Sequence, residues 1–196
     1  MKGRVNYFQI LAAAIEVNPG RPVIEPPDSN TPDWARESAS GLSYEPSKML
    51  LKAIRTYAKY AGRTDPVALA RRKWAVAQHR LWSIICGSDI PVSTRIGGGL
   101  LLPHPQGVVI HGDANIGPNC LIMSQVTIGV TRRGGPPSIG GAVDIGTGAK
   151  ILGPIHIGDG AQIGANAVVL TNVPAGATAV GIPARVVNPS SLSENC

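Results

Sequence analysis

The chain has 196 residues and a formal net charge of +6, enough for one domain with an appendage and a buried core. Its eight aromatic residues all fall between Tyr7 and Trp82, 19 of its 24 glycines follow position 89, and the charge excess lies entirely in the first 88 residues. A second half without rings is excluded from the ordinary sandwich or α/β core, which fills volume with aromatics. No apolar run reaches the roughly 18 residues of a membrane span, so no transmembrane helix is expected.

The first stretch, YFQILAAAIEV, follows Lys2 and Arg4 in the manner of a secretory signal, but Gln9 and Glu16 interrupt it. No signal peptide is therefore expected. NPGRPVIEPPDSNTP follows, rich in breakers and poor in periodicity. Residues 1–45 accordingly read as a poorly structured segment holding at most a short helix. Over roughly 46–62, Leu50, Ile54, Tyr57 and Ala61 share one helical face. Asp65 is placed to cap a second helix with Pro66 at its first position. Trp74, Ala77, Leu81, Ile84 and Ile85 recur along that helix as a packing face, and Gly87 ends it. Residues 46–88 thus form a helical region. Its cations, Arg71, Arg72 and Lys73 among them, are spread over helix faces without a recognition motif, so nucleic acid is not an expected partner. Cys86, Cys120 and Cys196 are odd in number and lack metal-ligand spacing, which fits reduced thiols in a cytoplasmic protein.

From Ile90 the chain acquires a period of six. Ile90, Ile96 and Leu102 are followed, after a two-residue slip, by Ile110, Ile116, Ile122 and Ile128. After five further residues come Ile139, Ile145, Ile151, Ile157, Ile163 and Val169. Neither a heptad nor a strand alternation produces a strict six. The physical reading is a triangular coil in which each hexad makes one short flat face and a corner, and three hexads close a turn. The aliphatic anchors stack inward at the spacing of a sheet, about 4.8 Å. Thr94, Ala114, Ala149, Ala161 and Ala167 fill an interior too narrow for a ring. Seven anchors are followed directly by Gly, read here as freeing the corner backbone from the limits that a Cβ sets.

IGPNCL, IGTGAK, IGDGAQ and IGANAV resemble the hexapeptide-repeat acyltransferases. That resemblance implies a mainly β fold, a left-handed parallel β-helix preceded by a small α-helical region; generic crossovers alone would favour the right hand. Within that superfamily the span from Asp89 to Val187 is similar to the serine acetyltransferases. DIPVSTRIGGGLLLPHPQGVVI, SQVTIG, IGTGAKILGPIHIGDGAQIGANAVVL and VGIPARVV carry the likeness. Residues 89–187 are thus expected to form the acetyltransferase domain, with 188–196 as a tail.

Acyl transfer from a thioester to a hydroxyl needs a general base, donors for the oxyanion and a slot for the acyl carrier. Histidine, titrating near about 6.5 when unperturbed, suits the base. His104 lies in LPHPQGVVI at the first slip, where an insertion re-aims a side chain as a bulge does. Asp89 precedes it by close to one coil, and stacking there would set its carboxylate to orient the imidazole. In the resembled family the corresponding Asp and His act as a catalytic pair. The resemblance also implies acetyl-CoA as co-substrate, held in a groove between neighbouring copies and hence in a homotrimer. Gly129, Thr147 and Ala165 would line the pantetheine arm, and Lys150 and Arg185 would meet the CoA phosphates. His111 and His156 occupy ordinary repeat positions and read as outward-facing, and His79 as a half-exposed helix residue. Their spacing does not suit a metal, so none is expected.

Two departures from the family pattern concern the acceptor. Pro103 stands where the family carries Asp before the base, and the loop VTRRGGPPS lacks the family's second His, whose place falls near Pro136. Arg132 and Arg133 are candidates to bind the carboxylate of a serine acceptor from that loop. The same departures resemble variants associated with exopolysaccharide synthesis, so a sugar hydroxyl is the alternative acceptor, and a non-catalytic scaffold is a third reading. The resembled enzymes that dock into the cysteine-forming sulfhydrylase end in Ile; this chain ends in Cys196, and no stable complex of that kind is expected.

Overall fold

The computed structural model describes residues 27–38, 45–132 and 134–187. The signal-like stretch, Arg133, Cys196 and the tail from 188 lie outside the described residues. Two helices, α1 (Pro46–Tyr60) and α2 (Pro66–Cys86), precede thirteen short strands. The architecture among the described residues is mainly β. No helix of the described residues is long and apolar enough to cross a membrane.

Local chemistry sets the helix limits. The Asp65 carboxylate accepts from Ala68 N at 3.0 Å, and Gly87 leaves the helix in the left-handed region with φ 59. Helix α1 buries Leu50, Leu51, Ala53 and Ile54. Helix α2 departs from expectation. It buries Ala68, Ala75 and Cys86, while Trp74 is 63% exposed, Leu81 53% and Ile84 81%. The small face of α2 is the one that lies inward, and its large apolar stripe stays open.

The strands follow the period of six. They are β1 (Arg95–Ile96), β2 (Val109–Ile110), β3 (Asn115–Ile116), β4 (Leu121–Ile122), β5 (Thr127–Gly129), β6 (Ser138–Ile139) and β7 (Asp144–Ile145). Then come β8 (Lys150–Leu152), β9 (His156–Ile157), β10 (Gln162–Ile163), β11 (Val168–Val169), β12 (Thr178–Gly181) and β13 (Ala184–Val187). They form three sheets: sheet I in the order β1-β3-β6-β9, sheet II in the order β13-β12-β10-β7-β4, and sheet III in the order β11-β8-β5-β2. The chain visits the three in rotation, and every pairing between strands is parallel except β12 with β13.

Register reports the slips directly. Val109 pairs with Thr127 and Ser138 with His156, each an offset of three whole hexads. Asp89 pairs with Val109, a longer offset that absorbs the first slip. Asn115 pairs with Ser138, an offset longer still that absorbs the second. A third irregularity has no counterpart in the ladder of anchors. Gln162 pairs with Thr178, short of three hexads, and Ile157 pairs with Val173 at the same short offset, so the shortening lies between Val169 and Val173.

All thirteen anchors from Ile90 to Val169 are buried, as are Thr94, Ala114, Ala149, Ala161 and Ala167. Each fully buried aliphatic side chain contributes about 1.5–3 kcal/mol, and their column is the core. The glycines after the anchors need a different explanation from the one expected. None of the seven has a positive φ. What they allow is close approach: a Cβ at Gly146 would lie 2.7 Å from Ala165 N, and at Gly97, Gly117 and Gly158 it would meet the backbone of the next turn.

Candidate active site

Three edges join the three sheets. The edge from sheet II to sheet III holds residues 103–108, 123–126, 146–149 and 164–167, stacked turn upon turn. Gly107, Gln125, Gly148 and Asn166 all have positive φ there. Hydrogen bonds run along the stack: Gly107 N to Gly87 O (2.8 Å), Gln125 N to Gln106 O (2.9 Å), Gly148 N to Ser124 O (2.9 Å) and Asn166 N to Thr147 O (2.8 Å). The first slip lies on this edge as the loop Pro103–Gly107.

His104 sits in that loop with its side chain exposed, between exposed Pro103 and buried Pro105. Asp89 enters sheet III immediately below. Its N–H donates to Val108 O (2.8 Å) and its carbonyl accepts from Ile110 N (2.9 Å). Ile90 points inward and the Asp89 side chain is exposed, as alternation along a strand requires. Asp89 and His104 thus come to one edge, although their side chains form no hydrogen bond with each other. Thr147 and Ala165 lie on the same edge one turn apart, and Lys150 follows at the start of β8 on sheet III. The Lys150 ammonium donates to Gln125 O at 2.6 Å.

The remaining candidates lie elsewhere. Gly129 ends β5, paired with Leu152, on the edge from sheet III to sheet I. Arg132 is exposed in the loop that follows on that same edge, where the second slip is absorbed. Arg185 is exposed on β13, opposite Val180. Within one chain, the two slips therefore sit on different edges.

The other histidines are accounted for locally. His79 Nε2 donates to Ile90 O at 2.7 Å, tying α2 to the first turn. His111 Nδ1 accepts from Asp113 N at 3.2 Å within its own turn. His156 faces outward from β9. No group of three or more potential metal ligands occurs among the described residues. Burial holds the Cys86 thiol above its ordinary range and pushes Cys120 up to about 11, so both are unreactive near neutral pH.

Periodicity carries no sign of the way the third edge, from sheet I to sheet II, is covered. Residues 28–37, expected as loop, run across it as a strap and carry a 3-10 turn, Trp34–Glu37, capped by the Asp33 side chain. Buried Asn119 is the anchor. Its Oδ1 accepts from Asp33 N (2.8 Å), its Nδ2 donates to Asp28 O and Thr31 O (2.7 Å each), and its carbonyl accepts from Arg36 (2.6 Å). Arg55 of α1 pairs with Glu37 at 2.7 Å, donates to the carbonyls of Ile96 and Gly97, and stacks 5.4 Å from the Trp34 ring. Glu37 also accepts from Leu100 N. The signal available is Asn119 itself, an Asn at a corner, where a left-handed backbone is tolerated.

No family model matches the chain. It is 41% identical over 126 residues to the serine acetyltransferase of Helicobacter pylori strain J99, covering 61% of this chain and 74% of that protein. The chain belongs to the serine acetyltransferase family. It spans less than half the length of other curated serine acetyltransferases that it matches at 42% identity. Among solved structures it is similar to a serine acetyltransferase in complex with CoA, with a TM-score of 0.61 at 35% identity over 74% of this chain and 58% of that one. It is also similar to the Neisseria gonorrhoeae serine acetyltransferase in complex with serine, with a TM-score of 0.62 at 36% identity over 74% and 58%.

Proposed function

We propose that the chain is an acetyl-CoA-dependent O-acetyltransferase of the serine acetyltransferase type, built on a left-handed parallel β-helix that spans residues 89–187. The observation that carries the reading is the convergence of Asp89, His104, Thr147 and Ala165 on one edge of the three-sheet coil, in a chain of this family. Asp89 orients His104. The imidazole takes the proton of the acceptor hydroxyl as its oxygen attacks the thioester carbonyl carbon. The tetrahedral intermediate then expels the thiolate, which receives that proton, so the C–O bond forms as the C–S bond breaks and no acyl-enzyme is needed.

Thr147 and Ala165 are small enough to leave the edge open to a pantetheine arm. Exposed Arg185 is the cation we assign to the CoA phosphates, because Lys150 is already held by the Gln125 carbonyl. Gly129 and Arg132 lie on the edge from sheet III to sheet I, so they reach the same site only from a neighbouring copy. A homotrimer acting in the cytoplasm is therefore part of the proposal, with Arg132 facing the acceptor carboxylate. L-serine is the acceptor we favour, giving O-acetyl-L-serine and CoA. A sugar hydroxyl is the second reading, supported by Pro103 and by a loop without histidine.

The test is release of free CoA from acetyl-CoA, followed through its thiol, with L-serine and then with a panel of sugars. Serine-dependent release is the expected result. Release only with a sugar would replace the acceptor, and release with neither would leave the scaffold reading.

A further inference from the structure

We infer that Lys150 is a positioning residue that holds the His104 loop in place through Gln125; the inference rests on the acyl-transfer reading above. Lys150 Nζ donates to Gln125 O at 2.6 Å, a charge-assisted bond and so stronger than a neutral one. Gln125 has a φ of 59, a conformation that side chains disfavour and that a neighbouring contact must hold. The same residue supports the loop from the next turn. Gln125 N donates to Gln106 O at 2.9 Å, and Gly107 packs so closely that a Cβ there would lie 3.2 Å from Gln125 Cγ. Gly107 in turn donates to Gly87 O at 2.8 Å, and Asp89 N to Val108 O at 2.8 Å. One continuous path therefore runs down the coil from the ammonium, first to the loop that carries His104 and then to the strand that carries Asp89. The ammonium at the head of this path acts on the geometry of the loop below it.

Lys150→Met keeps the stem and removes the donors. Its turnover is measured with acetyl-CoA and with S-acetylpantetheine, a thioester that lacks the nucleotide phosphates. The expected result is a fall in kcat of between about tenfold and a hundredfold with both donors, the range that small misplacement of a catalytic group produces. The KM for acetyl-CoA should stay within about threefold, since no uniform binding contact is lost. Lys150→Arg, which can still reach the carbonyl, should restore most of kcat. A raised KM for acetyl-CoA with kcat retained, and no effect with S-acetylpantetheine, would overturn the inference in favour of a phosphate ligand. Backbone hydrogen exchange tests the tie without catalysis: Lys150→Met should speed exchange at 106–108 and at 125 while 156–169 is unchanged. Unchanged exchange in that loop would overturn the tie. If the unaltered protein turns over neither thioester, the acyl-transfer reading fails by itself, and the exchange result still decides whether Lys150 holds the loop.

Discussion

Two edges of the same coil are built alike and used differently. On the edge from sheet I to sheet II, the left-handed column Gly99, Asn119, Ala142, Gly160 and Gly176 stacks turn on turn. On the edge from sheet II to sheet III, Gly107, Gln125, Gly148 and Asn166 do the same. The first edge is covered. Gly98 leaves room for the Trp34 ring, Gly141 for the Ser29 backbone, and Asn119 and Arg55 fasten the strap. The second edge carries His104 and, among the described residues, has no such strap over it. Repetition thus makes corners that are interchangeable as backbone, and the side chains laid over them decide which are structural and which are free for chemistry.

The contrast makes predictions, the largest expected loss of stability first. Arg55→Met removes the partner of Glu37, whose side chain is only 9% exposed. Leaving such a carboxylate unpaired should cost about 3–5 kcal/mol of stability, read by denaturant titration, while kcat at a temperature where the variant is folded stays near that of the parent. A large fall in kcat with stability intact would break the separation of the two edges. Asn119→Ala leaves Asp33 N without its side-chain partner, with the carbonyls of Asp28 and Thr31 similarly deprived. We expect a loss of about 1–3 kcal/mol and faster backbone exchange confined to the strap, seen by mass spectrometry.

The last effect, confined to alkaline pH, concerns Cys120, beside Asn119 on the covered edge. Burial raises its folded value to about 11 against an ordinary value of 9.0. Between those limits the unfolded chain has lost the proton and the folded one has kept it, so stability falls as pH rises from about 9 to about 11. Cys120→Ala should flatten that alkaline slope in thermal melts. A slope that survives the substitution would show that another group carries it.

Much of this is legible in the sequence, for a physical reason. A coil of this kind buries one anchor side chain in every six, so Ile90 to Val169 state the register, and both slips appear where Asp89–Val109 and Asn115–Ser138 pair. His104 is legible because it interrupts that regularity. Other features are hidden because their partners are far apart in the chain. The bond from Lys150 to Gln125 joins residues on successive turns, and the strap rests on Asp33, Arg36 and Glu37, which carry no periodicity. The glycines after the anchors stand where the repeat puts them, but they answer the closeness of the next turn and not a left-handed φ. The stripe of Trp74, Leu81 and Ile84 reads as packing because periodicity reports an apolar face and does not say which face the neighbouring helix takes.

The central claim is that the edge from sheet II to sheet III is the catalytic one and His104 its base. The most direct test is turnover of His104→Ala with acetyl-CoA and L-serine, alongside acetyl-CoA binding by calorimetry. The account predicts loss of turnover by about 10²–10⁴-fold, the usual contribution of a general base, with binding retained. Undiminished turnover in that variant would contradict it.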